Sequence, residues 1–130
     1  MPKSCMYDTR FFVEYFYSTD VEFLNKLKKD LKEIKDRLVS VLVVHEIHKI
    51  NLENQGKQVA LLRSEIIRRD FKVVNVDYET AVKSAQLRSK HRIPLADSVI
   101  AASAQIHRCT LVSDDPHFKK IEDLKTKWYN

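Results

Sequence analysis

The chain has 130 residues, of which 44% are hydrophobic and 32% are charged, and its formal net charge is +5. This length and apolar content predict one folded domain over residues 1–130 and exclude a disordered chain or a disulfide-dependent miniprotein. The single glycine excludes the Gly-rich phosphate loops of Walker-type and Rossmann-type nucleotide-binding proteins.

The sequence carries no predicted membrane or export segment. Its longest aliphatic run, 41–44, is far shorter than the ~20 residues of a membrane helix. Asp8 and Arg10 interrupt the only candidate for an apolar signal segment. Two cysteines, Cys5 and Cys109, cannot build a disulfide framework. We therefore expect a cytoplasmic protein with reduced thiols, and its positive charge favours a polyanionic partner.

The first half of the chain alternates strand-like and helical patterns. A strand is predicted over 4–7 and a helix over 9–18. Asp20 is a predicted N-cap for a second helix that runs to about residue 35. A second strand over 38–41 and a third helix over 42–53 follow.

The same alternation continues after a turn that ends at the single glycine, Gly56. A helix is predicted over 58–70, a strand over 71–76, and a helix from its cap at Asp77 to about residue 90.

The last third opens with Pro94, a favoured first residue for a helix that runs to about residue 107. A strand over 110–113 follows, and 124–129 could add a short edge strand. Strands that alternate with helices predict an α/β fold with a central parallel sheet of four to five strands, flanked by helices.

Two carboxylates lie where strands end. Asp8 follows the first strand directly, and Asp115 follows the fourth strand after Asp114. In parallel α/β sheets, ligands bind beyond the carboxyl ends of the strands. Either residue could instead be only a helix N-cap.

Two more carboxylates lie in apolar helical surroundings. Asp97 is in the first turn of a helix whose neighbouring residues are nearly all apolar. Glu46 shares a helix face with Val43 and Ile50, and that face should pack inward. The alternatives are that Asp97 only complements the helix dipole and that Glu46 extends to solvent.

If these four carboxylates converge, their mutual repulsion and burial need a cation. Oxygen-only sites suit Mg²⁺ or Mn²⁺ rather than Zn²⁺. A zinc interpretation of His45 and His48 is weak, because they are three residues apart and zinc helices of the H-E-x-x-H type place them four apart.

Four segments resemble motifs of the PIN domain family, and more narrowly of the VapC-type toxin ribonucleases. The motifs cover nearly the whole chain and occur in the family's order. They are Tyr7-Asp8-Thr9, Ser40 with Glu46 six residues later, the stretch 93–102 around Asp97, and the stretch 111–118, Leu-Val-Ser-Asp-Asp-Pro-His-Phe.

This resemblance implies a metal-dependent endoribonuclease with Mg²⁺ or Mn²⁺ at Asp8, Glu46, Asp97 and Asp115. It implies that Ser113 and Thr9 orient these acids, with Asp114 in an assisting position. Arg10 departs from the smaller residue that is common there. The resemblance also implies two protein partners, a second copy of the chain and a small antitoxin that blocks the acidic pocket.

Basic residues near these motifs are candidates for RNA phosphate contacts, and the ones we favour are Arg10, Arg92 and Lys119. The aromatic run 11–17 is too rich for one buried face, so part of it could form a partner surface unless the surplus rings pack on the second helix.

Other functions stay open at this point. One is a PIN nuclease that processes RNA without being a toxin, although such enzymes commonly carry further domains. Another is a non-catalytic RNA-binding or interaction module, which the presence of all four acids disfavours. A phosphatase is weaker still, because Asp8-Thr9-Arg10 lacks the Asp-x-Asp pattern of aspartyl-phosphate enzymes.

Overall fold

A computed structural model describes residues 3–129; Met1, Pro2 and Asn130, at the ends of the predicted domain, lie outside the described residues. Within this range the strands form a five-stranded sheet in which every pairing is parallel. The strands are β1 (Ser4–Tyr7), β2 (Asp36–Ser40), β3 (Lys72–Val74), β4 (Thr110–Val112) and β5 (Thr126–Lys127). The predicted fold class is confirmed, including the short edge strand in the tail.

Six α-helices and one short 3₁₀ helix, Pro116–Lys120, connect the strands in the described range. The α-helices are α1 (Thr9–Tyr17), α2 (Val21–Glu33), α3 (Val41–Gln55), α4 (Lys57–Asp70), α5 (Tyr78–His91) and α6 (Leu95–Ile106). None of these helices combines the length and the apolar character that crossing a membrane requires.

The strand order is β3-β2-β1-β4-β5, so β1 is central and the chain order reverses between β1 and β4. The register sets Tyr7 of β1 opposite Val112 of β4. Asp8 and Ser113 therefore leave the sheet beside each other at its carboxyl edge. In open parallel sheets, this reversal point is where a ligand-binding crevice forms.

The central strands contribute almost only buried side chains. Met6 and Tyr7 of β1 and Leu111 and Val112 of β4 are fully buried. Such continuous apolar runs are typical of parallel strands that are covered on both faces. Helix α6 is buried from Ser98 to Ala104, directly after the more exposed first turn that carries Asp97.

Some element boundaries differ from the prediction for local reasons. Strand β2 ends at Ser40, because the Ser40 side chain accepts a hydrogen bond from the Leu42 N–H and caps α3. Pro94 is the N-cap of α6 and not its first helical residue. Gly56 has a φ of 85°, which joins α3 and α4 in a conformation that favours glycine.

The aromatic residues of α1 are better packed than the sequence indicates. Phe11 and Phe12 are fully buried against Phe71, and the remaining rings of the run are half-buried. The Arg63 guanidinium of α4 lies over the rings of Phe16 and Tyr17, at 5.0 and 4.9 Å from their centroids. The rings of Phe16 and Tyr17 are thus covered by Arg63, and the Tyr17 hydroxyl donates to Asn51 Oδ1 of α3, so this cluster gives no support to a partner surface.

Candidate active site

Asp8 is a buried carboxylate at the carboxyl end of β1. It is only 4% exposed, and its Oδ2 accepts a hydrogen bond of 2.6 Å from Ser113 Oγ. Asp8 occupies the N-cap position of α1, but its side chain makes no capping hydrogen bond there. The capping alternative therefore does not explain Asp8, whose carboxylate is turned toward the end of β4.

Ser113 links the ends of the two central strands. Its Oγ donates to Asp8 and also accepts from the Asp115 N–H at 3.1 Å. The hydroxyl is buried, so both hydrogen bonds form in a site with little competing water. This arrangement fixes the Asp8 carboxylate relative to the loop that carries Asp115.

Glu46 reaches the same crevice from α3. Thr9 Oγ1, at the start of α1, donates a hydrogen bond of 2.7 Å to Glu46 Oε1. Glu46 is half-buried, between the buried Val43 and the half-buried Ile50 on its helix face. Val43 on this face is buried as expected, whereas Glu46 and Ile50 line a groove, and the Glu46 side chain is held by Thr9 rather than left free in solvent.

Asp97 and Asp115 meet at His117. The His117 Nδ1 lies 2.9 Å from Asp97 Oδ2 and 3.1 Å from Asp115 Oδ1. One ligand atom from each of the three residues lies within 4.8 Å of the others. Asp115 also caps the 3₁₀ helix by accepting from the His117 N–H, so the capping alternative holds for Asp115 and coexists with its place in the cluster.

The ionisation of Asp8 and Asp97 shows that the four acids influence one another. Burial raises the pKa of Asp8 from 3.8 to about 6, the bond from Ser113 opposes this, and the charges of Asp97 and Glu46 add to it. Burial also raises the pKa of Asp97, and the charges of Asp115 and Glu46 act in the same direction. Asp97 lies in the first turn of α6, where its charge complements the helix dipole, and it also contacts His117.

The donor set fits a hard divalent cation. Asp97 and Asp115 belong to the group that lies within 4.8 Å with His117. Asp8 and Glu46 are not members of that group, but the charges of Asp97 and Glu46 act on Asp8, and those of Asp115 and Glu46 act on Asp97. A cation would reverse that repulsion, and oxygen ligands of this kind suit Mg²⁺ or Mn²⁺. The zinc interpretation gains nothing, because His48 Nδ1 pairs with Ser64 Oγ at 2.6 Å.

The predicted RNA contacts differ in their surroundings. Arg10 is engaged by Asp114, with nitrogen–oxygen distances of 2.9 and 3.3 Å, and lies 3.9 Å from Glu14. Asp114 therefore balances the unusual arginine and does not face the other acids. Arg92 and Lys119 are exposed, at the end of α5 and in the 3₁₀ helix.

His117 lies in the fourth motif, where the sequence suggests a loop residue or a phosphate contact rather than a partner of the acids. Its position depends on the 3₁₀ helix, which is not among the predicted elements. The signal that was available is Asp115-Pro116, because an Asp cap followed by Pro at the first helical position favours a helical turn. Such a turn brings the residue after Pro116 back toward the cap.

Solved structures of toxin–antitoxin proteins share this fold. The VapBC2 complex of Rickettsia felis, bound to a promoter DNA fragment, aligns with a TM-score of 0.81 at 19% identity over 97% of this chain and 98% of that one. FitAB bound to a DNA fragment aligns with a TM-score of 0.77 at 25% identity, over 95% of this chain and 94% of that one. VapC20 of Mycobacterium tuberculosis, described as a sarcin–ricin loop cleaving toxin, aligns with a TM-score of 0.74 at 16% identity, over 90% of this chain and 94% of that one.

Sequence comparison supplies the family. No curated protein sequence matches this chain. The profile of the PIN domain family matches residues 5–124, which include every residue of the acidic crevice. The chain therefore belongs to the PIN domain family.

Proposed function

We propose that this chain is a metal-dependent endoribonuclease and the toxin of a VapBC-type toxin–antitoxin pair. The proposal is supported by the cluster of Asp97, Asp115 and His117 within 4.8 Å, and by Asp8 and Asp97, whose pKa values are raised by burial and by the charges of the neighbouring acids. The reaction is hydrolysis of RNA phosphodiester bonds. The solved toxins that share the fold support this assignment over a nuclease of RNA processing.

The four carboxylates would hold Mg²⁺ or Mn²⁺, with Asp8 and Asp97 as the principal ligands and Glu46 and Asp115 completing the set. The bound ion would lower the pKa of a water nucleophile and offset charge on the phosphate. A metal-free crevice with this charge would repel RNA, so the cation also makes substrate approach favourable.

Two hydroxyl groups of the chain hold two of the carboxylates in position. Ser113 holds Asp8 by the 2.6 Å bond, and Thr9 holds Glu46 by the 2.7 Å bond. Each hydroxyl fixes a carboxylate on another element, so both acids keep their orientation when substrate enters. Groups that orient ligands in this way commonly affect metal affinity or activity by about ten- to a hundredfold.

RNA binding would use exposed cations around the crevice. Lys119 lies in the 3₁₀ helix two residues after His117, and Arg92 ends α5 shortly before Asp97. Neither cation is paired with an acid within residues 3–129, so both are available to phosphates, whereas Arg10 would have to give up Asp114. Arg92 and Lys119 are therefore our choices for RNA contacts, and Arg10 ranks below them.

The proposed protein partners are a second copy of the chain and a small antitoxin, and the proposed compartment is the cytoplasm. A mainly apolar groove of about 450 Å³ begins at Glu46 and Thr9 and continues along Leu42, Ile50 and Leu95. A groove that joins apolar walls to a carboxylate suits a peptide helix with a basic side chain at one end. An antitoxin segment seated there would block access to the acids.

Cleavage of pooled total RNA in Mn²⁺ tests the proposal, with wild type compared with Asp8→Asn and Asp97→Asn. We expect discrete products from wild type that are absent from both variants and in EDTA. Circular dichroism of the variants must match wild type, because unfolding would also abolish cleavage. A folded, metal-loaded wild type that leaves the RNA intact would favour the non-catalytic RNA-binding module instead.

A further inference from the structure

His117 occupies a position in the acidic cluster for which the proposed function gives no role. Its side chain is 41% exposed and has room to turn to solvent, yet its Nδ1 faces Asp97 and Asp115 at 2.9 and 3.1 Å. Each of these three residues offers an atom within 4.8 Å of the other two. This spacing is compatible with one ion shared by all three.

We infer that His117 Nδ1 is a ligand of the proposed metal ion and that it makes the site select Mn²⁺ over Mg²⁺. The inference rests on the proposed function, because it adds a ligand to the same site. Both ions prefer oxygen ligands, but Mg²⁺ is the stricter of the two, whereas Mn²⁺ is a first-row transition ion and transition ions accept imidazole nitrogen. A cluster of carboxylates alone would not discriminate in this way.

The backbone on both sides of His117 is fixed, which gives the ring a defined position. On one side, Asp115 Oδ1 accepts from the His117 N–H at 2.9 Å. On the other side, Phe118 is fully buried in the core. A residue held between a cap and a core anchor loses little further entropy when its ring binds an ion.

The ring nitrogen that faces the carboxylates is the one that could coordinate. Nδ1 donates a hydrogen bond when it carries a proton and offers a lone pair when the proton is on Nε2. The short distances to Asp97 and Asp115 therefore mark a position within reach of a cation that these carboxylates hold. A ring that only orients the two acids would stay outside the coordination shell, and this difference is measurable.

Pulsed electron paramagnetic resonance of the Mn²⁺-loaded protein reads nitrogen coordination directly, without an activity assay. We expect ¹⁴N modulation in wild type, its loss in His117→Gln, and its retention in His45→Gln. His45 is the matched control, because it is an exposed histidine on α3 next to Glu46. Mn²⁺ bound to wild type without ¹⁴N modulation would overturn the inference and leave the proposed nuclease intact.

Calorimetric titration measures the affinities for Mn²⁺ and Mg²⁺, and their ratio is the selectivity of the site. We expect His117→Gln to weaken Mn²⁺ binding at least about tenfold and Mg²⁺ binding by a smaller factor, so that the ratio of the two affinities falls. An equal loss for both ions would assign His117 to orienting the acids and overturn the inference. A wild-type protein that binds neither ion would contradict the metal-dependent function itself, which separates the two failures.

Discussion

Replacement of Asp8 by Asn should stabilise the metal-free protein at neutral pH while it abolishes RNA cleavage. The carboxyl group is 4% exposed, and burial raises its pKa from 3.8 to about 6. In the unfolded chain the same group ionises near pH 4. Between these two pKa values the folded state retains a proton that the unfolded state has lost, so stability falls as the pH rises through this window.

The size of the effect follows from the shift. Two pKa units correspond to about 3 kcal/mol of unfolding free energy lost by wild type at pH 7.5, and about 1 kcal/mol is already lost at pH 4.5. Asn is uncharged at both pH values and avoids this cost, and the pKa of Asp8 already includes the bond from Ser113. We therefore expect a gain of about 3 kcal/mol at pH 7.5 and about 1 kcal/mol at pH 4.5.

Thermal and urea unfolding in EDTA at the two pH values measure this difference. For a domain of this size, a gain of about 3 kcal/mol at pH 7.5 raises the Tm by roughly 12 °C. The matched control is Glu122→Gln, which removes an exposed carboxylate and should change stability by less than about 0.5 kcal/mol. An Asp8→Asn variant that is less stable than wild type at pH 7.5, or whose gain is the same at both pH values, would refute the burial argument.

Three further substitutions test the surroundings of the acids. Thr9→Val removes the 2.7 Å bond to Glu46 and should lower RNA cleavage about ten- to a hundredfold at unchanged circular dichroism, with Thr9→Ser restoring most of it. Ser113→Ala removes the bond that lowers the pKa of Asp8, so the acid limb of the pH–rate profile should move to higher pH. An unmoved limb would mean that ionisation of Asp8 does not control the rate. Lys119→Gln should raise KM with little change in kcat and reduce the slope of log affinity against log salt by about 1, whereas Glu122→Gln should alter neither.

Much of the fold was predictable because its signals are local. The first strand was predicted over 4–7 and forms over the same residues, since a short apolar run followed by Asp8-Thr9 marks a strand and a helix start. Parallel pairing followed from the alternation of strands with helices. Strand β3 is shorter than the predicted 71–76, because pairing with β2 extends only from Lys72 to Val74.

The contacts inside the site were less accessible to sequence reasoning, because they join residues far apart in the chain. Arg10 and Asp114 are 104 positions apart, and their pairing became visible only when β1 and β4 were adjacent. The position of His117 beside Asp97 and Asp115 depends on a 3₁₀ helix, which is stabilised by burial of Phe118. Local propensity indicates such a turn, but only the tertiary core determines which side chains it directs inward.

The crevice also shows why these hydroxyl groups lie where they do. Asp8 would gain stability by protonation, because burial and the charges of Asp97 and Glu46 disfavour its ionised form. The hydrogen bond from Ser113 favours the ionised form of Asp8 and fixes its direction, and the bond from Thr9 fixes the direction of Glu46. The protein thus holds a destabilising cluster of charge in place, and the energy that Asp8→Asn would release is available to bind a cation. A substitution that stabilises the metal-free fold should for this reason weaken metal binding, which is the trade-off expected where stability and function depend on the same carboxylates.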